Sequence, residues 1–87
     1  MDKNKHFDWG EIITKEVHTS DNKHAGHVDG LNDEEFIVKD RIIHARYYSV
    51  PRDQLAEYKY GTVKLKISEE ELISRYRSDR PGYFEKK

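Results

Sequence analysis

The stretch that decides the fold is Arg46–Ser68, RYYSVPRDQLAEYKYGTVKLKIS. Arg46–Val50 reads as a strand, and Pro51 ends it because proline has no N–H to give to a ladder. Tyr47 and Tyr48 fall on opposite faces of that strand, so one ring faces inward and the other is presented outward. Pro51–Leu55 reads as a single helical turn with Leu55 pointing into the protein. Tyr60-Gly61 then offers a turn, and Thr62–Ile67 alternates: Val63, Leu65 and Ile67 face one way, Thr62, Lys64 and Lys66 the other. Strands with one apolar face each predict a mainly β protein.

Working outward toward the N-terminus, the same signals repeat. Trp9–Thr19, WGEIITKEVHT, gives a strand around Glu16–Thr19, and Ser20-Asp21-Asn22-Lys23 a tight turn. A strand follows through His24–Leu31 with glycines at 26 and 30, which mark a bulge, a bend or the close approach of another backbone. Asn32-Asp33-Glu34 is the next turn. Glu35–Lys39 is a strand whose three consecutive apolar residues predict cover on both faces. Ile42 and Ile43 sit in a connection of undefined form. Beyond Ile67, Ser68-Glu69-Glu70-Glu71 is a capping box. Acids in the first turn with Arg75 and Arg77 in the last suit the helix dipole, so a short helix is expected to about Arg77. The ends, residues 1–8 and 78–87, are expected to be flexible around one domain at 9–77.

Composition bounds the function. Eighty-seven residues make one small domain, which buries only about 60–65% of the surface its unfolded chain exposes. Hydrophobic residues are 34% and charged residues 38% of the chain, so self-association is a natural source of extra stability. Sixteen basic against 17 acidic residues give a net charge of -1, and no global attraction to nucleic acid or anionic membrane follows. The absence of cysteine removes disulfides and thiolate chemistry and points to a reducing cytoplasm. The opening MDKNKHFDWGEI lacks an apolar signal core, and no apolar run reaches 18 residues, so neither ordinary export nor a membrane span is expected.

Three kinds of site can be weighed. His18, His24 and His27, with Asp21 and Asp29 nearby and His44 further on, invite a metal. Yet their spacing matches no zinc pattern, and the expectation is exposed strand and turn histidines with no metal or cofactor. In the metal reading His18 would lie across the first hairpin from His27. Catalysis is not expected: Ser20 and Ser49 lie in no nucleophile elbow, and there is no phosphate-cradling glycine loop. Aromatic residues beside turns and termini remain, namely Phe7, Trp9, Tyr58, Tyr60, Tyr83 and Phe84. With the outward Tyr47, they are the type of side chain that anchors protein interfaces. One alternative is that the terminal aromatics fold back and cap the open ends of the fold; another is an RNA face in which such rings stack bases and Lys59, Lys64, Lys66 and Arg75 hold phosphates.

The hairpin SDNKHAGHV and the segment YYSVP followed by Leu55 resemble PRC-barrel domains, whose first hairpin reads D-x-x-G-x-x-I-G-x-V and whose later strand reads YYIP. TVKL and the acid-rich Ser68–Leu72 resemble that family's closing strand and tail. The likeness covers about Ile12–Leu72, with Asn22 or Lys23 in place of the turn glycine and Ala25 in place of an aliphatic. It implies a small closed or partly open, SH3-like β-barrel of five to six strands with a short C-terminal helix. It also implies a non-catalytic adaptor that homodimerises. Relatives of that type include a reaction-centre subunit domain, the C-terminal domain of a bacterial ribosome maturation factor, and small archaeal proteins, some tied to cell division. The expected partner-binding residues are Trp9, Tyr47, Tyr58, Tyr60, Tyr83 and Phe84.

Overall fold

The computed structural model describes residues 8–40 and 45–78. Ile42, Ile43, His44, Tyr83, Phe84 and most of both expected flexible ends lie outside them. Asp8 and Ser78, the inner limits of those ends, are engaged: Asp8 caps a 3-10 turn over Trp9–Ile12, and Ser78 pairs with Tyr47.

Seven strands and one short helix follow. They are β1 (Glu16–His18), β2 (His24–Leu31), β3 (Glu35–Asp40), β4 (Arg46–Pro51), β5 (Leu55–Lys59), β6 (Thr62–Leu65), α1 (Glu69–Arg75) and β7 (Arg77–Ser78). All strands belong to one sheet in the order β5-β6-β1-β2-β3-β4-β7. Pairings are antiparallel except β1 with β6, which run parallel. Of the expected closed or partly open barrel of five to six strands, the mainly β character is present, but the strand pairing gives seven strands in a sheet that is not closed, with β5 and β7 at its ends.

The open sheet is nevertheless rolled. Laid flat, β4 and β5 would be five strand spacings apart, about 24 Å. The chain from Pro51 to Leu55 reaches about 14 Å at most. A second 3-10 turn, Arg52–Gln54, makes this connection. Its Arg52 N–H donates to Glu34 O at 3.0 Å, and Gln54 O accepts from Lys66 N–H at 2.8 Å. This turn bridges the two limbs of the sheet where a ladder would have closed it.

One core fills the inside of the roll. Val17, Val28, Phe36, Val38, Tyr48, Val50, Val63, Leu65 and Ile67 meet Ile12 from the first 3-10 turn and Leu72 from α1. Tyr48 is buried and Tyr47 half-buried on the other face, as the alternation predicts. Phe36, Ile37 and Val38 are all fully buried, so β3 is covered on both sides. The capping box is formed, Ser68 Oγ accepting from Glu71 N–H and Glu71 returning to Ser68 N–H.

Two strands and one helix end differ from the sequence reading. Leu55–Lys59 is a strand, paired to β6, where only a turn and a gap were expected. Arg77 leaves the helix and pairs in β7 with Tyr48. No helix among the described residues is long and apolar enough to cross a membrane.

Candidate docking face on the outside of the sheet

The registers build a transverse row on the outer face. Thr62 pairs with Glu16, Glu16 with His27, His27 with Lys39, Lys39 with Tyr47 and Tyr47 with Ser78. None of the six is buried. The Lys39 ammonium sits 5.8 Å from the Tyr47 ring centre, within cation–π range. The inner residues next to this row, Val63, Val17, Val38 and Tyr48, belong to the core.

The expected docking set divides. Trp9 faces inward, its ring 6.0 Å from that of Phe36 and 4.8 Å beneath the Arg52 guanidinium. Arg52 also donates to Asn32 O, so Trp9 is part of the clamp that holds the roll. Tyr58 is half-buried against the core. Tyr47 is outward and half-buried. Tyr60 is 96% exposed, at the tip of the β5–β6 hairpin with φ 56 and Gly61 after it at φ 75. A two-residue turn with both angles positive favours Asn-Gly or Gly-Gly. A tyrosine there carries backbone strain of about 1 kcal/mol and returns no burial.

The expected basic set is partly assembled. Lys59, Lys64 and Lys66 are on the outer side of the β5–β6 hairpin, but acids are interleaved. Glu57 lies 3.8 Å from Lys59 Nζ and Glu16 pairs across from Thr62. Lys64 Nζ donates to Asn22 Oδ1 at 2.7 Å. Arg75 is on α1, which packs on β4 and β7, and does not join the lysines.

The histidines are arranged otherwise than expected. His18 faces His24, and it is Glu16 that faces His27. Glu16 and His27 meet in the regular part of the ladder, and a bulge at Ala25-Gly26, where the register slips by one residue, sets His24 instead of Ala25 opposite His18. Asp21 is occupied in the turn: its carboxylate accepts from Thr19 Oγ1 and from Glu69 N–H at 3.2 Å. The Thr19 hydroxyl, followed by backbone N–H donors and Lys23, holds the Asp21 carboxyl below its ordinary value. Asp29 is half-buried on β2. Among the described residues, the side chains of metal-ligating type that converge are Glu16, His18 and His24. Glu16 was the residue missed, because its role depends on the slipped register and has no sequence spacing of its own.

The chain matches no family model, no curated protein and no solved structure.

Proposed function

We propose that this chain is a non-catalytic interaction module of PRC-barrel type that associates with a second copy of itself through the β5–β6 hairpin. The observation that carries this reading is Tyr60, a large ring held in solvent on a strained turn. Its exposure does nothing for the fold, and tyrosine is among the side chains that anchor protein contacts. The rolled, side-chain-filled sheet supports a binding role over one that needs an interior for substrate.

Light scattering across a wide concentration range tests it. Wild-type protein should associate, and Tyr60→Asn should be monomeric and slightly more heat-stable. A monomeric wild type, or a variant that associates equally, would remove the reading.

The second reading is an RNA-associated factor, favoured by Lys59, Lys64 and Lys66 sharing one hairpin with Tyr60. Salt separates the two. RNA binding weakens steeply as counterions are released, while an aromatic self-contact changes little.

A further inference from the structure

Glu16, His18 and His24 meet on the outer face of the β1–β2 hairpin. Glu16 Oε1 is 3.8 Å from His18 Nε2, and Glu16 Oε2 is 3.3 Å from His24 Nε2. The two imidazole rings stand edge to face with centres 5.5 Å apart, and a ligand atom from each of the three residues lies within 4.8 Å of the others. We propose that these side chains form a binding site for a borderline divalent cation of the zinc type.

The donor set suits that class. Imidazole nitrogens favour zinc, copper and nickel over calcium or magnesium, and two histidines with one carboxylate is a known zinc set that leaves a further position for water. The spacing suits it as well. Ligands about 2.0–2.1 Å from a tetrahedral zinc are about 3.3–3.4 Å from each other. Glu16 lies 3.3 Å from His24 and 3.8 Å from His18 through different carboxylate oxygens, and with one ligand atom from each residue within 4.8 Å of the others, side-chain rotation alone can bring the three to those separations.

The bulge gives a second, independent argument. With Val17 opposite Gly26, a regular ladder would put Ala25 opposite His18 and turn His24 toward the core. The slipped register instead sets His24 opposite His18, with Ala25 buried and His24 exposed. Bulges commonly re-aim a side chain in this way. Here the backbone is specialised for it: Gly26 has φ 131, and a Cβ on it would fall 2.3 Å from Lys39 O. Nearby cations are turned aside. Lys64, registered against His18, gives its ammonium to Asn22, and Lys23 acts on the Asp21 carboxylate. A bound ion would tie the three-residue β1 to β2 by side chains as well as by the ladder.

The test is calorimetric titration of chelator-treated, full-length protein with zinc chloride. One equivalent should bind to wild type, with a raised Tm at saturation. His24→Ala and the near-isosteric Glu16→Gln should each lose at least about tenfold in affinity. His27→Ala, on the same face but outside the group, should bind as wild type does. Nitrogen-resolved NMR should show zinc shifting the ring nitrogens of His18 and His24. Absence of a stoichiometric site, equal weakening by His27→Ala, or full binding by His24→Ala would overturn the proposal.

Discussion

Asp21, in the turn between β1 and β2, accepts a hydrogen bond at 3.2 Å from the backbone N–H of Glu69, 48 residues further along the chain. Beside it, Ser20 N–H donates to Ile67 O at 2.8 Å. The turn between β1 and β2 is therefore fastened to the start of α1. Charge strengthens this contact, because a carboxylate at a helix N-terminus faces unpaired N–H donors.

Acid should loosen that fastening. Asp21 has its carboxyl group lowered from 3.8, first by the Thr19 hydroxyl. A lowered folded-state value contributes stability that is present above the unfolded value and is lost as pH falls through the folded one. Asp21→Asn should thus be less stable than wild type at neutral pH, and the gap should narrow below 3.8. Urea unfolding of both proteins across that window checks it; a gap that does not change with pH would count against the assigned charge.

The Arg52 clamp predicts an asymmetry between two basic residues. Its guanidinium lies over the Trp9 ring and donates to Asn32 O, and its Nε is buried without a hydrogen-bond partner among the described residues. Lysine cannot stack and donate sideways at once. Arg52→Lys should cost about 1–2 kcal/mol and alter Trp9 fluorescence, while Lys66→Arg on the exposed face should leave both unchanged.

Gly26 and Gly61 separate two reasons for glycine. At Gly26 an added methyl group meets the backbone of Lys39, whereas at Gly61 none of the described residues lies within 4 Å of it. Gly26→Ala should destabilise by at least about 3 kcal/mol or prevent folding. Gly61→Ala should cost only the positive-φ strain, about 1 kcal/mol. Thermal melts of the two would rank them, and a reversed order would contradict the close approach of β2 and β3.

Removing the helix cap gives a smaller, local effect. Ser68→Ala leaves Glu71 N–H without its acceptor and should cost about 1 kcal/mol, read as a lower Tm with β-sheet circular dichroism retained.

The strands that could be read from the sequence were those with a periodic apolar face. Val63, Leu65 and Ile67 in β6 and its exit, the run Phe36–Val38 in β3 and the Tyr47/Tyr48 pair in β4 all announced themselves. Asn22, one of the two residues standing in place of the turn glycine, takes the left-handed angle with φ 63, which asparagine tolerates. β5 was missed because Ala56, Glu57 and Lys59 are weak strand formers at a sheet end, where pairing to β6 decides more than propensity. β7 has two residues and no pattern to offer. For the aromatics, position beside a turn does not say whether a ring folds inward, as Trp9 does, or outward, as Tyr60 does. The Glu16–His18–His24 group depended on a register slip, and a slip of one residue in a ladder leaves little mark on spacing.

The parallel pairing of β1 with β6 has a consequence for how the molecule is made. β1 is the first of the seven strands to leave the ribosome, yet one of its two neighbours is synthesised only after most of the chain has appeared. Until then the nascent protein carries a strand with one side open, and the core it will line cannot be sealed. Acquisition of the native state should therefore be slow, on the order of milliseconds to seconds, and should begin only once Thr62–Leu65 is free to enter.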